Sequence, residues 1–283
     1  MNLYDAHNHF HFPALQPHRA QIAADLRGIG LHGAVVNGTC EEEWPVVSAL
    51  AAEHSWILPS YGVHPWDAGN RSLNWQAILR ARLLAEPTSH VGEIGLDRWV
   101  IDDVRPDDPR IAGLRIAPLE EQTEVFAWQL ALAAELGRAA SLHCLRAIGP
   151  LHGILRTARL PARGFLLHAY SGPLELVQPL VELGAYFSYT GYFLRARHEA
   201  KTRVFRAVPL ERLLVETDAP AMELPVPHQR FALPNTADGQ RVNHPANLAA
   251  TYAALAQIRG LPVEALATEV EQNFLRLFGH STR

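Results

Sequence analysis

Asp5-Ala6-His7-Asn8-His9 places three groups able to bind or orient a cation at alternate positions near the start of the chain. Alternate side chains of a strand share one face, so Asp5, His7 and His9 point the same way. Two imidazoles on one face can hold one divalent cation, and a neighbouring carboxylate can orient them through hydrogen bonds. Four later segments carry matching donors: Val91-Gly92-Glu93-Ile94-Gly95-Leu96-Asp97, Ser141-Leu142-His143, Leu167-His168 and Glu216-Thr217-Asp218-Ala219-Pro220. Each lies at the end of an apolar, strand-like run. Four histidines, one glutamate and one aspartate suit two divalent cations held by nitrogen and oxygen. The chemistry expected of such a set is metal-dependent hydrolysis.

Each donor also has a plainer reading. A lone His-x-His in a strand is weak evidence and gains its meaning from the donors elsewhere. Glu93 lies in a strand among glycines, where a carboxylate is costly to bury unless it meets a cation. Its two oxygens can bridge two metals; an arginine salt bridge is the alternative. His143 and His168 could each be a hydrogen-bonded core histidine, but their matching placement favours ligation. Asp218 can ligate a metal and accept a proton from an attacking water, or cap a helix. His64, in Tyr61-Gly62-Val63-His64-Pro65-Trp66, is placed beside the metals as a substrate or phosphate contact. Cys144 reads as a small packing residue. His18, His32, His54, His90 and His280 read as surface or element-end residues.

The elements that must position these groups follow from periodicity. Strand-like runs span Leu3–His9, Gly33–Gly38, Ile57–Val63, His90–Leu96, Ala139–Cys144, Gly164–Ala169, Ala185–Tyr189 and Leu213–Thr217. Helical patterns lie between them, at Pro17–Gly28, Glu42–His54, Leu73–Glu86, Leu119–Leu136, Ile148–Thr157, Pro173–Leu183 and Ala196–Ala207. Two more helices, Pro245–Arg259 and Pro262–Phe278, follow the last strand. Eight strands alternating with helices predict an α/β fold, a (β/α)₈ TIM barrel spanning residues 1–283 as one domain. A doubly wound sheet is the alternative, but only a closed ring brings six strand ends around one site. The positions His9, Gly38, His64 and Glu93 are 29, 26 and 29 residues apart, each one βα unit. Glu93 to His143 is 50, and the excess is assigned to a long loop over 98–118. A second irregular stretch, 222–243, follows the eighth strand and has a place at the rim.

Composition narrows the function. The chain has 283 residues, 48% apolar and 19% charged, ample for a buried core. Its formal charge of −4 gives no polybasic surface, so any phosphate binding is local to the site. Two cysteines build no disulfide framework. No signal peptide and no membrane-length apolar run stands out, which points to the cytoplasm. Nothing calls for an obligate protein partner.

The ordered set of motifs resembles the TatD family of metal-dependent hydrolases. The resemblance is carried by Asp5-Ala6-His7-Asn8-His9, Gly62-Val63-His64-Pro65, Gly92-Glu93-Ile94-Gly95-Leu96-Asp97, His168-Ala169-Tyr170-Ser171-Gly172, Arg212 through Pro220, and Asn273-Phe274-Leu275-Arg276-Leu277-Phe278. It implies an amidohydrolase-like TIM barrel with a two-metal site and, for several members, deoxyribonuclease activity, often 3′ to 5′ on single strands. By position, His7, His9, Glu93 and Asp218 would bind one metal, and Glu93, His143 and His168 the other. Mixed His and carboxylate ligands admit Zn, Mn or Mg.

Three departures from the family pattern lie on the substrate side. The fifth-strand segment reads His143-Cys144-Leu145-Arg146-Ala147, with the arginine shifted and the following acid missing. Arg98 and Trp99 follow Gly95-Leu96-Asp97, and the segment Arg241-Val242-Asn243-His244-Pro245 lacks the family's lysine. The expected reaction is phosphodiester hydrolysis of single-stranded DNA or a small phosphodiester. Asp218 would act as base or water-orienter, Glu93 as the bridge, and His64 and Arg146 as phosphate contacts. Hydrolysis of a small ester, lactone or amide on the same centre is the alternative, and a barrel that binds without turnover is a third.

Overall fold

The computed structural model describes residues 1–279; His280, read above as a surface residue, lies outside them. Eight parallel strands pair in chain order: β1 Leu3–Asn8, β2 Leu31–Gly38, β3 Ile57–Tyr61, β4 His90–Asp97, β5 Ala140–Leu145, β6 Phe165–Leu167, β7 Ala185–Thr190 and β8 Leu213–Glu216. The ring closes between its first and last strands just above the β8 end. There the Asp218 amide donates to the His7 carbonyl (3.0 Å) and the His9 amide to the Ala219 carbonyl (2.7 Å). This is the expected TIM barrel, with strand limits shifted by one or two residues.

Helices α1 Arg19–Gly28, α2 Trp44–Glu53, α3 Trp75–Ala85, α4 Trp99–Asp102, α5 Leu119–Leu136, α6 Ile148–Leu155, α7 Val177–Glu182, α8 Glu199–Ala207, α9 Leu248–Arg259 and α10 Val263–Phe278 connect the strands and follow β8. Among the described residues no helix is long and apolar enough to cross a membrane. The strands are apolar on both faces because helices cover one face and the barrel interior the other. Val35, Val91, Leu142, Leu166, Leu214 and Phe274 are all wholly buried. Each side chain of this kind contributes roughly 1.5–3 kcal/mol by leaving water.

Several helices expected as continuous begin with a 3-10 turn. The Pro17–Gly28 pattern is split into a 3-10 turn over Pro13–His18 and α1. Pro17 has no amide hydrogen to give an α-helical ladder, and the tighter turn accommodates it. The 98–118 stretch holds α4 and a short 3-10 turn, Pro109–Ile111, so it is partly helical. Of the surface or element-end reading of His90, the element end holds, since it opens β4, but it is buried there, its ring edge-on to Phe278 at 5.2 Å.

Candidate metal centre

The centre is organised by Glu93 on β4. Its strand is held close to β5 by two glycines. A Cβ on Gly92 would stand 2.7 Å from the Ser141 Cβ, and one on Gly95 1.9 Å from the His143 carbonyl oxygen. Gly95 also has φ +152°, which L side chains rarely adopt. The close approach brings His143 to Glu93. Glu93 Oε2 lies 3.3 Å from His7 Nε2 and 3.2 Å from His9 Nε2. Its Oε1 lies 2.9 Å from both His143 Nδ1 and His168 Nε2. Asp218 Oδ1 completes the first group, 3.4 Å from His9 Nε2 and 3.7 Å from His7 Nε2. Five side chains from four other strands therefore meet around one carboxylate, with one cluster at each oxygen.

Further polar groups fix the rings. His9 Nδ1 bonds the Asn37 carbonyl (2.7 Å), and His7 Nδ1 contacts Ser141 Oγ (2.9 Å). His143 Nε2 meets Asp97 Oδ2 (3.1 Å), and Asp97 also accepts from the Trp66 indole (2.7 Å) and the Val100 amide (3.0 Å). His168 stacks on His7, centroids 4.0 Å apart, and its Nδ1 faces Glu216 at 3.7 Å. Glu216 in turn accepts from Ser188 Oγ (2.5 Å).

These contacts test whether the residues suit a cation. A carbonyl cannot donate, so His9 carries its proton on Nδ1 toward Asn37. The Nε2 of neutral His9 then aims a lone pair at Glu93 and Asp218. The same holds for His143: Nε2 donates to Asp97, and the Nδ1 lone pair of the neutral ring faces Glu93 Oε1. Lone pairs aimed at buried carboxylates repel unless a positive charge stands between them. The protonation energetics agree. Burial acts against charge on His9, yet Asp218 and Glu93 overcome it and raise the pKa to about 10. Burial is likewise outweighed at His143, raised to about 9 by Asp97 and Glu93. Burial, then the charge of His168, pushes His7 down to about 4. Glu93 is held well below the usual carboxylate range despite burial, through the positive charge of His168, His64 and His7. The donor set fits divalent cations on both sides of Glu93, and three triads have ligand atoms close enough to share an ion: His7–His9–Asp218, His7–Glu93–His168 and His64–Glu93–His143.

His64, expected beside the metals, sits at ligand range. Its Nε2 is 3.4 Å from Glu93 Oε1, and its ring lies 4.5 Å from that of His143. Asp5 works on backbone rather than on an imidazole. Its carboxylate accepts from the Thr217 amide (3.0 Å) and hydroxyl (2.6 Å) and from the His7 amide (3.2 Å), tying β1 to the β8 end beneath Asp218. Arg146 is exposed and forms an ion pair with Asp103 of the 98–118 segment. It lines a cleft of about 310 Å³ that also touches His168, Tyr170 and Lys201. Cys144 packs against the core, its thiol pushed up to about 12 by burial. Asn243, in the altered segment that lacks the lysine, donates to the Thr217 carbonyl (2.9 Å), bracing the strand end that presents Asp218. Asn37, Ser188 and Glu216 escaped sequence reasoning, because nothing local distinguishes them from ordinary strand polar residues.

A family model for TatD-related DNases matches residues 4–279. The chain belongs to the TatD family. Among its relatives, the 3′-5′ ssDNA/RNA exonuclease TatD of Klebsiella pneumoniae is 32% identical over 263 residues, 92% of this chain and 91% of that protein. The exonuclease of the same name from Enterobacter lignolyticus is 30% identical over 259 residues, 91% of this chain and 92% of its own length. A solved TatD homolog from Escherichia coli superposes with a TM-score of 0.81 at 28% identity, covering 98% of this chain and 97% of that one. Membership makes the barrel that of a metal-dependent hydrolase, and the His, Glu and Asp cluster is its metal-binding candidate.

Proposed function

We propose that this chain hydrolyses phosphodiester bonds of single-stranded DNA, removing nucleotides from the 3′ end, in the cytoplasm and with two divalent ions, Zn, Mn or Mg. The observation that carries the reading is the division of the Glu93 carboxylate, one oxygen toward His7 and His9 and the other toward His143 and His168. His7, His9, Glu93 and Asp218 would hold one ion; Glu93, His143 and His168 would hold the other. Bound there, the ions would lower the pKa of water and would neutralise charge on the phosphoryl group. Asp218 is placed to orient the attacking water and take its proton. The histidines around it hold its carboxyl below the ordinary range in spite of burial, so it is ionised and ready to accept. His64 contacts the phosphate from the side of Glu93 Oε1, and Arg146, released from Asp103, reaches it from the cleft.

The test uses metal-stripped protein reloaded separately with Mg, Mn or Zn. Its substrates are 3′-labelled single-stranded DNA and a small aryl phosphodiester, with Asp218→Ala as control. Cleavage that needs both metal and Asp218 is expected. Metal-loaded protein that cleaves neither substrate but opens a carboxylic ester, lactone or amide would move the same centre to that chemistry.

A further inference from the structure

Two tryptophans stand at the rim beside the Glu93 Oε1 cluster. Trp66 follows His64 at the end of β3, and Trp99 opens α4 after β4. Their rings are nearly parallel, 24° apart with centroids at 6.1 Å, and both are half-buried. Trp66 is tethered to the centre: its indole donates to Asp97 Oδ2 (2.7 Å), the carboxylate that holds His143. Its ring also meets that of His64 at 6.0 Å. The pair is thus fixed relative to the reacting position. Arg110, carried by the 98–118 segment, brings its guanidinium within 5.0 Å of the Trp99 ring and 5.7 Å of the Trp66 ring. Asp108 holds that guanidinium through two hydrogen bonds, 2.9 and 2.7 Å.

Rigid, partly open indole faces with a cation alongside suit a flat π-ligand attached to a phosphate. Nucleobases stack on aromatic side chains without regard to sequence, and arginine adds a cation–π term. An aromatic pair whose only task was to pin the loop would not need an indole hydrogen-bonded to the carboxylate of a metal-site histidine. We propose that Trp66 and Trp99, with Arg110, form a stacking platform for the base of the nucleotide being removed. The platform would set the 3′-terminal nucleotide against the metal centre. It would favour nucleic acid over other phosphodiesters while reading no particular base. This proposal rests on the nucleic-acid reading of the same site.

Binding of a fluorescein-labelled single-stranded oligonucleotide is measured by anisotropy on Mn-loaded protein, with phosphorothioate linkages at the 3′ end to prevent turnover. A second oligonucleotide lacks only its 3′-terminal base. Wild type, Trp99→Phe and Trp99→Ala are compared, and cleavage of the terminal linkage of an all-phosphate version of the oligonucleotide lacking its 3′ base checks the centre. Trp99→Ala should weaken the intact oligonucleotide roughly tenfold, leave the abasic one nearly unchanged and spare cleavage of the abasic strand's terminal linkage, with Trp99→Phe restoring most of the loss. Equal weakening of both oligonucleotides, or no weakening, overturns the platform. Hydrolysis of the aryl substrate with no oligonucleotide binding also overturns it, while leaving the hydrolase reading intact. Base-dependent binding without any phosphodiester cleavage supports the platform and removes the catalytic reading instead.

Discussion

Strand β4 carries a buried histidine at its start and a buried glutamate three residues later, near its middle, and the two positions obey opposite electrostatics. His90, at the start of the strand, has no carboxylate against its ring among the described residues. Burial, then the charges of Arg163 and Arg138, push its pKa down to about 3. Beside Glu93, His9 is as deeply buried and His143 somewhat less so, yet His9 rises to about 10 and His143 to about 9. For His9 and His143 the difference is the carboxylate; His7, which shares Glu93 but lies deeper and beside the charge of His168, goes the other way, to about 4. Burial alone makes a neutral core histidine. Burial with an aimed anion makes a place that demands a cation, whether proton or metal.

The sharpest way to break this contrast is to neutralise Glu93. Glu93→Gln keeps the shape but leaves both imidazole clusters facing an amide. Hydrolysis should fall by about 10⁴-fold, the scale seen when one member of a cooperating catalytic set is lost. Circular dichroism should show an intact barrel, and metal analysis should show loss of bound ion. Retained turnover in metal-replete Glu93→Gln protein would sink the bridging role.

This end of the strand was largely legible in the sequence, because its residues announce themselves by type. His7, His9, Glu93, His143, His168 and Asp218 are costly at strand ends, and the structure brings all six together. The eight strands were legible because apolar runs alternate with helical periods. What stayed hidden depends on register between distant strands. Asn37 matters through a backbone carbonyl aimed at His9, which only the β1–β2 pairing reveals. Glu216 looks like the end of a strand until β6 and β7 set His168 and Ser188 beside it. His90 is an element-end residue, as its sequence suggests, but its burial was hidden, since that comes from α10 closing over it at Phe278, nearly two hundred residues away.

A finer test separates the two oxygens of Glu93. The His7 and His9 side is anchored by neutral groups, Asn37 and Ser141; the His143 side is anchored by the charged Asp97. A carboxylate behind a ligating imidazole raises its basicity and fixes its tautomer. On the proposed two-ion reading, Asp97→Asn should therefore weaken one metal equivalent by about 10–100-fold and leave the other nearly unchanged, as read by titration calorimetry. Ser141→Ala should cost distinctly less. Equal weakening of both equivalents by Asp97→Asn would mean that the two sites do not load separately.

The smallest effect belongs to the other end of the strand. A histidine whose folded pKa lies below its unfolded value of about 6.5 binds a proton more readily when unfolded. Its stability contribution is complete above pH 6.5 and is lost as pH falls toward the folded value of about 3. At pH 5 that loss is about 2 kcal/mol. His90→Leu fills the same apolar space beside Phe278 with nothing to protonate. The variant should lose less stability than wild type between pH 6.5 and 5, by about that amount, in urea melts followed by tryptophan fluorescence. Above pH 7 the two curves should run parallel, because neither residue titrates there. Parallel curves through the acid range as well would show that His90 finds a partner for its proton inside the fold, and the contrast between the two ends of β4 would collapse.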